Sequence, residues 1–115
     1  MARYTSSYLV NASLNEIPTV LVNILESCGF ELVYQAVDYM MAREIPGQVS
    51  YSKLVVIEVL IDSTKAKAKE VPITWVVKND ELPLQMNNHC QQRFEQIQQT
   101  ISEDKQWHLI ASVAN

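Results

Sequence analysis

Glu58 is the residue whose type and surroundings most clearly suggest chemistry. It is the only acid in the apolar run of residues 54–61. Apolar neighbours raise the pKa of a carboxyl group towards the range in which it acts as a general acid or base. The alternative is a solvated carboxylate that pairs with Lys78 or Arg43. We favour the pair, because apolar surroundings alone are a weak indication of catalysis.

The histidines and cysteines offer other reactive groups, but not at the spacing of a known site. His89 falls in a helix-like run and His108 in a strand-like run, and no His-x-x-x-His or Cys-x-x-Cys pair occurs. A dedicated zinc site needs such clustered ligands. Cys28 and Cys90 fall on the apolar stripes of two predicted helices, which indicates buried free thiols. The sequence therefore predicts no catalytic residue, no metal site and no cofactor.

Three lysines alternate in a polar connection, at Lys65, Lys67 and Lys69. Three ammonium groups on one side of an extended segment could bind an anionic partner. Lysines also discourage aggregation between the edges of sheets, and we favour that interpretation.

Composition and charge exclude several classes of protein. The chain of 115 residues is 48% hydrophobic and 19% charged, as in globular proteins, and we predict one domain spanning residues 1–115. Its net charge of −4 argues against nucleic-acid binding, which requires a basic surface. No apolar run reaches the length of a membrane span, about 18 residues. The N-terminus lacks the apolar stretch of a signal peptide, so we expect a cytoplasmic protein.

The same four-residue pattern marks the start of both predicted helices. Residues 15–18 read Asn-Glu-Ile-Pro and residues 80–83 read Asp-Glu-Leu-Pro, which combine a capping side chain, an acid for the first turn and a proline. Helices are therefore predicted over residues 16–28 and 81–102. The apolar stripe of the first is expected at Ile17, Leu21, Ile24, Leu25 and Cys28, and that of the second at Leu82, Met86, Cys90, Phe94, Ile97 and Ile101. Strands are predicted on either side of them, over residues 4–12, 71–78 and 107–113.

A long hairpin is predicted over residues 30–62, between the two predicted helices. Residues 30–45 and 49–62 are strand-like, and Pro46-Gly47 between them is typical of a turn. A strand of this length exceeds the usual length of about 5–6 residues. We therefore expect a bulge or bend, at Asp38.

The predicted element order, β-α-β-β-β-α-β, favours an α+β fold. We expect a two-layer sandwich in which two helices cover one face of a mixed sheet of about five strands. This order resembles that of ferredoxin-like folds with an additional central strand. The resemblance concerns the fold alone and implies no function.

Such a sandwich leaves the second face of the sheet uncovered. We expect Glu58 on this open face, because a lone carboxylate under the helices would need a partner. Alternation along the strands assigns further side chains to the two faces. The predicted open-face residues are Val33, Gln35, Thr74, Val76, His108, Ile110 and Ser112, and the predicted helix-facing residues are Phe30, Leu32, Tyr34, Trp75, Val77, Trp107 and Leu109.

From these features we expect a non-catalytic accessory or regulatory protein that forms a homodimer and binds a protein partner. The dimer contact is expected on the open face or the hairpin, because methionine and tyrosine are common contact residues. Candidate interface residues are Tyr39, Met41, Ile45, Val49, Tyr51 and Ile57. The alternative is a small-molecule site on the open face. Its candidate residues are Glu58, Thr74, Gln35 and His108. A small enzyme that uses Glu58 or His108 is the least favoured alternative.

Overall fold

The computed structural model describes residues 1–67, 69–82, 88–103 and 108–114, the last segment by its backbone alone. Over these residues the chain forms six strands, two α-helices and one short 3₁₀ turn. The elements are β1 (Ala2–Asn11), α1 (Ile17–Ser27), β2 (Phe30–Gln35), β3 (Tyr39–Glu44), the 3₁₀ turn (Tyr51–Lys53), β4 (Val56–Ile61), β5 (Val71–Asn79), α2 (His89–Glu103) and β6 (His108–Ala114).

The six strands form one sheet in the order β2-β3-β4-β5-β1-β6. The α+β class and the two helices agree with the sequence, but the expected mixed sheet is wrong. Every neighbouring pair is antiparallel. The reason is that β5 and β6, which α2 connects, run in the same direction but have β1 between them. The parallel strands of each β-α-β unit are therefore never neighbours.

The predicted hairpin over residues 30–62 is instead a three-stranded meander. Residues 30–44 make two strands, β2 and β3, and the amide of Ala36 donates to the carbonyl of Tyr39 across the turn between them (2.7 Å). Asp38 lies in this turn, where aspartate is common, and the bulge falls between Leu32 and Tyr34. The expected bulge at Asp38 is therefore wrong, and the extra turn explains why the sheet has six strands.

The bulge also changes which face the end of β2 presents. Directly opposite residues of antiparallel strands share a face. Leu32 lies opposite the buried Ala42, whereas Tyr34 lies opposite Met41 on the other face. Tyr34 therefore faces away from the helices, contrary to the sequence-based expectation.

Helix α1 follows its predicted apolar stripe. Ile17, Leu21, Ile24, Leu25 and Cys28 are all buried, which confirms the three-and-four spacing expected of one buried face. Pro18 lies in the first turn, where no amide donor is needed. After the helix, Gly29 adopts a left-handed φ of +82°, as helix-terminating glycines do.

Helix α2 begins eight residues later than the pattern at residues 80–83 predicts. Its first residue is His89, and the described part of its stripe, Cys90, Phe94, Ile97 and Ile101, is buried. Leu82, expected on this stripe, is exposed, and Met86 lies outside the described residues. The reason for the late start is that Glu81 caps the helix from a distance, as shown below.

The core lies between the helices and one face of the sheet. Helix α1 packs on β2, and α2 packs on β1 and β5. Val55, Ile57, Val59 and Ile61 face this layer and are buried. Burying each such side chain contributes about 1.5–3 kcal/mol. Glu58, which alternates with them, consequently points to the open face, as predicted. None of the helices among the described residues has the length and apolar character needed to cross a membrane.

Candidate functional site

The open face of the sheet is the candidate functional surface, because both helices pack on the other side. Within the described residues, no further layer covers it. It combines apolar and charged side chains from four adjacent strands. They are Thr5, Ser7 and Leu9 of β1, Tyr39, Met41 and Arg43 of β3, Val56, Glu58 and Leu60 of β4, and Thr74, Val76 and Lys78 of β5.

Glu58 lies at the centre of this face with two direct partners. Lys78 forms an ion pair with one carboxylate oxygen, and the hydroxyl of Tyr39 donates to the other at 2.7 Å. The Lys78 and Tyr39 contacts outweigh partial burial and lower the pKa of the Glu58 carboxyl below 4.5. Burial and the bond to Glu58 raise the pKa of Tyr39 to about 12. A carboxylate stabilised in this way lacks the raised pKa on which its role as a general acid was based.

Two further pairs of polar groups involve residues of the open face. The Arg43 guanidinium donates to Glu31 on β2 at 2.9 Å. The hydroxyls of Ser7 and Thr74 lie 3.2 Å apart across two strands. Because the charges of Glu58, Lys78, Arg43 and Glu31 are compensated within the chain, covering these pairs does not isolate a charge.

Apolar side chains lie between these polar pairs. Val76 is only 6% exposed although it belongs to the open face, and Leu60 on the neighbouring strand is 46% exposed. Met41 and Val56 lie on the same face and are half-buried. Apolar side chains in the middle of a surface with polar groups around them match the apolar core and polar rim of protein interfaces.

The structure brings together only part of the candidate ligand site. Glu58 and Thr74 share the open face, because Glu58 lies opposite Val76 and Thr74 lies opposite Leu60. Gln35 lies opposite the buried Met40 and so points to the helix side. This overturns the predicted open-face position of Gln35, because the bulge in β2 shifts the alternation. His108 pairs with Asn11 through the backbone, and its side chain lies outside the described part.

The candidate interface residues also separate into groups. Tyr39 and Met41 lie on the open face, while Ile45, Val49 and Tyr51 lie in the connection between β3 and β4. Ile57 is fully buried under the helices. The predicted place of Ile57 in an interface is therefore wrong. Ile57 and Glu58 are consecutive in β4, so their side chains point to opposite faces of the sheet.

Lys65, Lys67 and Lys69 lie in the connection between β4 and β5. Both strands are inside the sheet, so these lysines do not protect a sheet edge, contrary to the interpretation we favoured. Lys69 lies 3.8 Å from Glu16, next to the start of α1.

A second cluster, on the buried face, is centred on Glu44. The side chain of Glu44 is 1% exposed, yet its carboxylate has three partners. The Val55 amide donates to Oε1 at 3.1 Å, and His89 Nε2 lies 2.8 and 2.9 Å from the two oxygens. Arg93 approaches Oε2 through Nε at 3.1 Å and Nη2 at 3.0 Å. The cluster therefore ties the end of β3 to β4 and to the first turns of α2.

Gly29 makes room for this cluster. The Arg93 guanidinium lies 5.2 Å from the centre of the Phe30 ring, within the range of a cation–π contact. A Cβ atom at Gly29 would lie 3.2 Å from Arg93 Nη2. The glycine thus allows both the left-handed turn and the close approach of the arginine.

Glu81 is the second buried carboxylate of this region. Its Oε1 accepts from Asn79 Nδ2 at 2.6 Å and the Cys90 amide at 2.8 Å, and its Oε2 accepts from the His89 amide at 3.1 Å. Burial opposes ionisation, but these hydrogen bonds outweigh it and lower the pKa of the Glu81 carboxyl. Glu81 therefore caps the amide donors at the start of α2, which otherwise have no partner within the helix.

This buried cluster is suited to holding the fold and not to catalysis. Both oxygens of Glu44 and of Glu81 accept hydrogen bonds from protein donors, and these bonds connect strands to the start of α2. The sequence analysis missed the cluster. Two features of the sequence could have indicated it. His89 and Arg93 are four residues apart, which places them on one side of a helix. Glu44 follows Met40 and Ala42 at every second position of β3, so it shares their buried face.

Neither the potential metal ligands nor the comparison with known proteins adds a candidate site. In the portion of the chain that the structure describes, no group of three His, Cys, Asp or Glu side chains is placed to hold a metal ion. No protein-family model matches the chain, and no curated protein matches it.

Proposed function

We propose that this is a non-catalytic accessory or regulatory protein that acts through protein–protein association. Its first partner is a second copy of the chain, docked on the open face of the sheet. We further propose that it acts in the cytoplasm. The two buried free thiols, Cys28 and Cys90, favour a reducing compartment, where disulfides are rare.

One observation carries the dimer proposal. The open face places apolar side chains such as Met41, Val56 and Leu60 around a charge pair, Glu58 with Lys78, that is already neutralised within the chain. A face of this kind loses water at little electrostatic cost when an identical face covers it. Twofold symmetric contacts of one surface with itself are the commonest way in which proteins self-associate.

We also interpret the sandwich as an expanded ferredoxin-like arrangement. The support is the position of β1 between β5 and β6, with a helix on the connection from β5 to β6. This is the split β-α-β pattern of that class. The additional strands lie in the meander from β2 to β5. The interpretation concerns architecture and adds no function.

Light scattering across a dilution series tests the dimer. We expect the native chain to have twice its monomer mass of 13.1 kDa at high concentration and to dissociate on dilution. Met41→Lys and Leu60→Lys each place a charge in the apolar part of the face, and both should give folded monomers. A native chain that is monomeric at every concentration contradicts the proposal.

Two control variants locate the contact. Gln92→Lys adds the same charge on the exposed side of α2 and should leave the dimer unchanged. Tyr51→Lys tests the alternative contact in the β3–β4 connection, where Tyr51 is 82% exposed. If only Tyr51→Lys gives a monomer, the interface lies in that connection and the open-face assignment is wrong.

A further inference from the structure

Strand β2 ends the sheet and is exposed along nearly its whole length. Its sheet neighbour is β3, and Glu31, Leu32, Val33, Tyr34 and Gln35 are all exposed. Alternate amide and carbonyl groups of such an edge point outwards and can pair with another extended chain. The strand contains no lysine or proline, the residues that commonly block this pairing.

An apolar cleft continues from the end of this edge. The cleft has a volume of about 600 Å³. It lies between the start of α1 and the β2–β3 turn. Leu14 and Pro18 form one side and Ala36 and Val37 the other, and Val37 is 84% exposed. An exposed apolar cleft beside an open edge offers a side-chain pocket next to a backbone-pairing site.

The charge of this part of the molecule indicates what would bind there. Residues 15–39, which include α1, β2 and the β2–β3 turn, carry four acids and no lysine, arginine or histidine. Two of the four acids have a cationic partner outside this segment. Glu31 pairs with Arg43 and Glu16 approaches Lys69. Glu26 and Asp38 are exposed. Glu26 lies one helical turn beyond Val22 and Asn23, which face the edge near Gln35.

We propose that the β2 edge and this cleft bind an extended, lysine- or arginine-bearing peptide of a partner protein. The peptide adds to the sheet as a further strand and places an apolar side chain in the cleft. A second copy of the chain fits less well, because it would bring the same acidic region against this one. This surface is separate from the open face, so the proposal stands without the dimer.

Titration of the ¹⁵N-labelled native chain with a capped peptide of alternating lysine and valine tests the proposal. We expect amide shifts in β2, in the β2–β3 turn and around Leu14, with binding that weakens as salt is added. The same peptide with methylated backbone nitrogens should not bind, because it cannot donate to the edge. A peptide of alternating glutamate and valine should also fail, because its charge is wrong.

Charge-reversal variants separate local attraction from net charge. Glu26→Lys combined with Asp38→Lys should weaken binding by about fivefold for each reversed charge. Glu95→Lys combined with Glu103→Lys makes the same change in total charge on the exposed side of α2 and should have a smaller effect. Circular dichroism confirms that each variant is folded.

Several results would overturn the proposal. Two of them are undiminished binding of the methylated peptide and amide shifts confined to the open face. Equal weakening by both double variants would reduce the effect to net charge. Dissociation of a dimer by the peptide would show that the edge is occupied by a second copy. Absence of binding at millimolar peptide would contradict the proposal directly.

Discussion

Glu44 and Glu58 lie on neighbouring strands, but Glu44 points under the helices and Glu58 points away from them. On the covered face, Glu44 is sealed by His89, Arg93 and a backbone amide. On the open face, Glu58 is held by Lys78 and Tyr39 and stays partly exposed.

The difference is the basis for assigning stability to the covered face and the proposed association to the open face. A buried carboxylate without partners is very costly, so every acceptor of Glu44 is used to hold strands and helix together. The partners of Glu58 neutralise a surface that can then be covered. We therefore expect changes on the covered face to alter folding and changes on the open face to alter association.

The largest effect is expected from Glu44→Gln. It leaves Arg93 and His89 buried without their anion, and breaking a buried ion pair on one side costs about 3–5 kcal/mol. Urea unfolding followed by circular dichroism measures the loss in the free energy of unfolding. A loss below about 1 kcal/mol would show that the cluster does not hold the fold.

A smaller effect is expected from Glu81→Ala, which removes the cap of α2. Loss of a helix cap costs about 1–2 kcal/mol. Asp80→Ala is the matched control, because Asp80 is exposed and exposed substitutions change stability by about 0.5 kcal/mol or less. Equal losses for the two variants would contradict the capping role.

Acid should weaken the fold through Glu58 and Glu81. The pKa values of both carboxyls are lowered from 4.5 in the folded chain, so below that pH the unfolded chain binds more protons than the folded one. The stability that these two carboxylates contribute to the fold is therefore fully present above pH 4.5, and it is lost as the pH falls through their lowered pKa values. Urea unfolding at a series of pH values measures this dependence, which should be shallower in Glu81→Ala.

The smallest effect on stability is expected from Lys78→Met. Lys78 and Glu58 are 28% and 21% exposed in their side chains, and pairs that water reaches contribute about 0–1 kcal/mol. The same variant leaves Glu58 uncompensated on the open face, so its dimer should weaken more than its fold. Comparison of urea unfolding with light scattering checks this, and the reverse order would contradict the division between the faces.

Features that depend on neighbouring residues could be predicted from the sequence. Helix α1 has its apolar stripe, its proline in the first turn and its terminal glycine within residues 17–29. The position of Glu58 also followed from alternation with Ile57 and Val59. These patterns reflect the periods of helix and strand, which local sequence determines.

Features that depend on distant partners could not be predicted in this way. The start of α2 is set by hydrogen bonds that Glu81 accepts from the amides eight and nine residues later. The roles of His89 and Arg93 could not be predicted, because their partner Glu44 lies more than forty residues away in the sequence. The antiparallel sheet likewise depends on β1 lying between β5 and β6, which the strand patterns do not encode.

Urea unfolding at two protein concentrations tests the division between the faces most directly, for the native chain, Glu44→Gln and Leu60→Lys. A dimer makes stability depend on concentration, so the native midpoint should rise with concentration. Glu44→Gln should lower the midpoint at both concentrations, whereas Leu60→Lys should give, at both concentrations, the midpoint that the native chain approaches on dilution. A native midpoint that is independent of concentration, or equal losses in the two variants at both concentrations, would contradict the account.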